Sequence, residues 1–186
     1  ETSKAVHAIY DKFHGAADLA GIVTELHMIE GLPGRDRQDF GRMTRTFDMI
    51  MIEQPNRDGT SGDELLVEAS LFNSGRPVLI VPYIQQTEVK LSHILVAWDG
   101  GSTSARAIGD ALPLLQKADK VDVVTITSRR TDEKDMPGFD IAKHLARHGI
   151  NAEVKRLPAS DEPAGTLLSY AADVGSDLMV MGGYWR

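Results

Sequence analysis

The sequence predicts an α/β fold with a mostly parallel sheet, and three observations predict it. Short apolar runs alternate singly with amphipathic stretches at helical spacing along the 186 residues. Gly and Pro punctuate the changes. The order of elements in the first half also recurs in the second. A strand–helix–strand unit closes by a right-handed crossover onto a parallel neighbour, so a chain of such units builds a sheet covered by helices on both faces.

Val6, Ile9, Tyr10 and Phe13 share one face of a helix over residues 4–14, and Gly15 is placed to end it. Residues 22–29 alternate loosely as a strand, Pro33-Gly34 marks a loop, and Phe40, Met43 and Phe47 set the stripe of a second helix. Residues 49–52 predict a short buried strand. After the turn-rich residues 55–62, Leu65, Ala69 and Phe72 give a helical stripe that stops near Ser74-Gly75. Residues 77–81 form another apolar strand.

A fresh series begins at Lys90, with strand 94–98, helix 104–117 and strand 121–126. Pro113 falls inside that helix and is expected to kink it or shift its last turn. Residues 129–138 are charged, contain Pro137-Gly138, and read as a surface loop before helix 141–148, which Gly149 stops. Strand 150–157, helix 163–174 and the buried strand 178–181 follow, the last running into Gly182-Gly183.

The repeat sets His14-Gly15, a strand, a helix and residues 47–52 beside His148-Gly149, a strand, a helix and residues 176–181. A tandem duplication is expected, with a first unit at 1–87 and a second at 88–186. The halves are incomplete in complementary places. The first lacks the strand, helix and strand that residues 94–126 give the second, and the second stops before a counterpart of residues 64–81. Material missing at both ends is the expectation.

The formal net charge of -7, with no basic run beyond Arg129-Arg130, argues against nucleic acid as a partner. There is no cysteine, which excludes disulfides and thiolate-bound metals and suits a reducing, cytoplasmic compartment. No apolar run approaches the roughly 18 residues that span a bilayer, so no membrane association is expected.

Three stretches carry a family likeness: residues 94–102, ending Ala97-Trp98-Asp99-Gly100-Gly101-Ser102; residues 177–183, ending Met181-Gly182-Gly183; and residues 73–82, from Asn73-Ser74-Gly75 to Val81-Pro82. In order and spacing the chain resembles the universal stress protein family, specifically its tandem bacterial form. The resemblance implies a Rossmann-like, adenine-nucleotide-alpha-hydrolase-like sandwich with ATP bound at the carboxyl ends of the strands. There an open α/β sheet leaves a crevice at the point where strand order reverses.

The resemblance implies that Asp99 lies near the adenine and ribose, with Ala97 the small residue beside it and Gly100 in the following turn. It brings the backbone of Ile126 and Thr127 to the adenine edge. It places the phosphates against a glycine loop that begins after Met181 with Gly182 and Gly183. Glycine suits such a loop because N–H groups must approach phosphate oxygens with no side chain between. The pattern's second glycine is absent, since Trp185 stands there. In the first half the equivalent loop, residues 52–57, has no glycine, a repelling Glu53 and Pro55 without an N–H, so that half resembles a non-binding copy.

Each feature also has a plainer reading. Asp99 can be a helix cap and turn former, and Gly182-Gly183 a turn leaving a buried strand. Gly100-Gly101-Ser102-Thr103-Ser104 lacks both the Gly-Lys-Ser/Thr ending of a P-loop and dinucleotide spacing, although its amides suit an anion at a helix start. His144 and His148 share a helix face but lack the intervening Glu of a zinc protease and read as solvated. Ser70, Ser74 and Ser169 have no nucleophile-elbow pattern. No resident metal is expected, and magnesium would arrive with the nucleotide.

The chain is thus expected to be an adenine-nucleotide-binding stress-response module and not a conventional enzyme, with weak ATP hydrolysis the most turnover allowed. Residues 77–81, apolar on both faces, correspond in the family to the strand that pairs across a homodimer or between the halves of an intramolecular pseudo-dimer. The competing expectation is a dimerising scaffold or a binder of another small molecule.

Overall fold

The computed structural model describes residues 2–29, 36–55, 61–85, 88–126, 139–158 and 162–183. By internal contacts the chain divides into two compact units, Glu1–Asp48 with Asp58–Arg76, and Met49–Arg57 with Pro77–Arg186.

The first unit is helical: α1 (Thr2–Leu19), α2 (Asp36–Thr44) and α3 (Ser61–Asn73). The helix expected at residues 4–14 runs through Gly15 and ends one turn later. Gly15 costs it up to about 1 kcal/mol, but Ala16 and Ala17 continue a favourable helical run. The stop is Gly21, at φ 69. Its N–H bonds the Asp18 carbonyl at 3.0 Å while that of Ile22 bonds Ala17 at 2.9 Å, the two bonds of a Schellman end.

Residues 22–29 form no strand, contrary to the sequence expectation. A strand persists only when its backbone groups have a neighbour to bond, and this stretch has no ladder partner among the described residues. Its apolar side chains are exposed, Val23 at 97%. Helices α2 and α3 are knit closely: the Arg45 guanidinium donates to the Asn73 carbonyl, and that of Arg76 to the Arg45 carbonyl. Phe47, expected on the helical stripe, lies beyond the end of α2 and is exposed.

Among the described residues the strands all belong to the second unit. β1 (Ile50–Glu53) and β2 (Val78–Val81) pair in parallel as a two-stranded sheet. The strand expected to be buried at residues 49–52 is shifted by one and half open, with Ile50 buried and Met51 69% exposed.

β3 (His93–Ala97), α4 (Ser102–Leu115), β4 (Lys120–Ile126), α5 (Phe139–Arg147), β5 (Ala152–Leu157), α6 (Pro163–Asp173) and β6 (Leu178–Val180) follow in strict alternation. They make a parallel sheet in the order β5-β4-β3-β6. Pro113 is taken into the last turn of α4, which runs on to Leu115. The loop expected at 129–138 lies outside the described residues.

Alternation along the strands fixes what each face meets. Ile94, Val96, Val121 and Val123 share the main core with Ile108, Ala111 and Leu115 of α4 and Ile141 and Leu145 of α5. The intervening residues face the other way, where Tyr170 of α6 reaches Asp122 of β4. Leu95, Asp122 and Val124 are fully buried on that side, although α6 itself has no fully buried residue.

Candidate functional site at the strand-order reversal

From β3 the chain crosses to β4 on one side, and later returns through α6 to β6 on the other. The order therefore reverses between β3 and β6, where an open α/β sheet leaves its crevice beyond the carboxyl ends. Because the sheet is parallel, the residues after β3, β4 and β6 come out on one edge.

Ala97 is the last residue of β3, in register with Val124, and the Trp98 N–H bonds the Val124 carbonyl at 2.9 Å. Asp99 follows, exposed, at the start of a tight turn. Its Oδ1 accepts the Gly101 N–H at 2.8 Å, an Asx turn, and the Ser104 hydroxyl at 2.5 Å. These bonds, that from Ser104 foremost and that from Gly101 with it, hold the Asp99 carboxyl below its ordinary range against the opposing effect of partial burial. Gly100 takes φ 78, a left-handed conformation that glycine adopts without strain.

Asp99 is a turn former but not the cap of α4. Gly101 occupies the N-cap with no side-chain bond, and the first turn holds no acidic residue. The helix thus turns uncapped N–H groups toward the carboxyl edge of the sheet, where their partial positive charge suits an anion.

Met181, Gly182 and Gly183 leave β6 beside this turn; Met181 and Gly183 are exposed and Gly182 is half-buried. Gly182 packs on the backbone at the start of α4: a Cβ there would stand 2.7 Å from Ser104 N and 2.7 Å from Thr103 Oγ1. Close packing alone therefore requires glycine at 182. Ile126, half-buried, ends β4 opposite Leu157 on the other side of β3. The structure thus brings Ala97, Asp99 and Gly100 together with Met181 and Gly182 on adjacent strands, with Ile126 one strand away on the same edge. Thr127 lies outside the described residues, as do Tyr184, Trp185 and Arg186.

Two polar features escaped the sequence reading. Asp122, wholly buried in β4, has Oδ2 2.9 Å from His93 Nε2, 3.3 Å from Lys120 Nζ and 3.4 Å from the Tyr170 hydroxyl, while Oδ1 has no partner among the described residues. His93 Nδ1 lies 3.3 Å from the Val174 carbonyl, so its ring links β4 to the end of α6. Burial first, and then Asp122, raise the Tyr170 phenol above its ordinary range. The available signal was one acid inside the apolar run 121–126. The second feature is the bond from the Ser104 hydroxyl to Asp99: the sequence offers Ser104 only as part of the stretch 100–104 and as a helix start, and the structure buries it in the first turn of α4.

A depression of about 510 Å³, lined by Leu157, Thr166, Ser169, Tyr170 and Asp173 among others, opens between the end of β5 and α6 and includes none of the expected site residues. The His144 and His148 rings stand 4.7 Å apart. Among the described residues no group of three or more His, Asp and Glu is placed to hold a metal ion, and no helix is long and apolar enough to cross a membrane.

No protein-family model and no curated protein matches the chain. Among solved structures it is similar to a universal stress protein from Archaeoglobus fulgidus DSM 4304, with a TM-score of 0.70 and 17% identity, over 95% of this chain and 64% of that one. A protein from the universal stress protein family of Burkholderia pseudomallei matches at a TM-score of 0.40 and 24% identity, over 50% of this chain and 82% of that one. A protein from Mycobacterium tuberculosis H37Rv matches at 0.41 and 21%, over 50% of this chain and 71% of that one. The Archaeoglobus match gives the fold: parallel α/β, of universal stress protein type. The chain spans about 64% of the length of that structure.

Proposed function

We propose that this chain is a stress-response module of universal stress protein type that binds ATP or a related adenine nucleotide, with residues 88–186 as the binding unit and 1–87 as its degenerate tandem partner. The observation that carries the reading is the meeting of two loops at the strand-order reversal, with Gly182 packed against the start of α4 and Asp99 across the same turn. A nucleotide has one end that donates from hydroxyls and another that is anionic. Asp99 supplies an acceptor for the first, and the uncapped amides of α4 with the Gly182-Gly183 backbone supply donors for the second.

Ala97, Gly100 and Met181 line the approach in this reading, and the Ile126 and Thr127 backbone reads the base. Magnesium comes with the phosphates. The unit is a binder with at most weak ATP hydrolysis, works in the cytoplasm, and pairs as a homodimer or an internal pseudo-dimer. Calorimetric titration with magnesium-ATP tests it. Saturable heat below the millimolar range that Asp99→Ala removes is the expected result, and its absence from the wild type overturns the reading.

A second reading, a dimerising scaffold or a binder of another small molecule, is favoured by one observation: packing against Ser104 already accounts for glycine at 182. Heat from a non-nucleotide ligand, with none from ATP, selects it.

A further inference from the structure

The Ser104 side chain is nearly out of solvent, the residue being 2% exposed, and its hydroxyl has one proton to give. Two acceptors face it, Asp99 Oδ1 at 2.5 Å and the Gly101 carbonyl at 2.9 Å. A carboxylate is the stronger acceptor, and the shorter contact is the one to Asp99, so the proton goes there. The Gly101 N–H adds a second bond to the same oxygen at 2.8 Å. Both bonds fall on Oδ1 and neither on Oδ2. Two donors from different directions stop the carboxylate from rotating. Ser104 is itself held in place by the first turn of α4 and by Gly182 packed on its backbone nitrogen.

We propose that Ser104 is a positioning residue that fixes the Asp99 carboxylate so that Oδ2 meets a donor group of the ligand, a role that rests on the nucleotide reading for its ligand but not for its geometry. A carboxylate only accepts at neutral pH, so the group it meets is a hydroxyl or amine and not a phosphate. Ser104 also keeps that acceptor ionised into mild acid, because its bond favours the charged form. The ligand affinity is therefore built to hold as pH falls toward the carboxylate range.

The test compares the full chain with Ser104→Ala and Ser104→Thr. Alanine is the best helix former, so the first variant folds with α4 intact, which circular dichroism checks. The Asp99 carboxyl is titrated by carbon NMR without nucleotide, and magnesium-ATP affinity is measured from pH 7 to pH 4. Ser104→Ala should raise the Asp99 midpoint, weaken ATP about tenfold at pH 7, the worth of one hydrogen bond to a charged group, and steepen the loss below about pH 5. Ser104→Thr keeps the donor and should restore both.

An Asp99 midpoint unmoved in Ser104→Ala overturns the proposal, as does a moved midpoint with unchanged ATP affinity. A wild type that ignores ATP while Ser104→Ala still moves the midpoint removes the nucleotide reading and leaves the positioning of Asp99 standing.

Discussion

A methyl group on Gly182 would stand 2.7 Å from the backbone nitrogen of Ser104. The obstacle is main chain at the start of a helix and has no flexible end that swings aside. Gly182→Ala should therefore push β6 and α4 apart and cost about 1–3 kcal/mol, as overpacking of a close contact does. Urea unfolding measures it.

His93 is the partner that makes a buried Asp122 tolerable, at 2.9 Å and with the acid fully out of water. Removing one member of such a pair strands the other, so His93→Ala should cost about 3 kcal/mol, Lys120 offsetting part of the loss from 3.3 Å. Tyr170→Phe gives up only a 3.4 Å contact and should stay within about 1 kcal/mol. Chemical denaturation of both variants separates the two effects.

Two glycines of α1 and its end should respond to alanine with opposite signs. Gly15 is inside the helix, and an added methyl would meet nothing within 4 Å, so Gly15→Ala should stabilise by about 0.5–1 kcal/mol. Gly21 is equally open but sits at φ 69, so Gly21→Ala should destabilise by about 1 kcal/mol from backbone strain alone. Thermal unfolding of the pair locates the helix end.

Asp99 titrates below its ordinary range in the folded chain, through Ser104 first and Gly101 with it. A depressed folded value means stability that is fully present above the unfolded value, about 3.9, and lost as pH falls through the folded one. The stability gap between wild type and Asp99→Asn should be flat above about pH 5 and close below about pH 4. Unfolding curves across an acid series check the sign.

Much of the second unit was legible because each signal was local. The valine run of β4, the glycine stop at 149 and the proline start at 163 are each decided by neighbours in sequence, and each element appears within two residues of expectation. Residues 22–29 failed for the opposite reason. Their pattern states a preference for extended backbone, but a strand also needs a partner, which no periodicity within the segment reveals. Gly15 misled because helix continuation depends on the residues after it.

At the site, Asp99 and Gly182 were legible as types. What sequence alone did not reveal was that Ser104 is shared between them, since that needs the register of β3 against β6. His93 and Asp122 are 29 residues apart and meet only through strand pairing.

Helix α6 contributes no fully buried side chain, whereas α4 and α5 sink Ile108, Leu115 and Leu145 into the core. Local opening therefore costs less at α6 than at α4 or α5. Its amide protons should exchange with solvent well before those of α4, in hydrogen exchange under native conditions. Because α6 leads through Val174 and Asp177 into β6, each such excursion reaches the strand that carries Gly182 to the rim of the sheet.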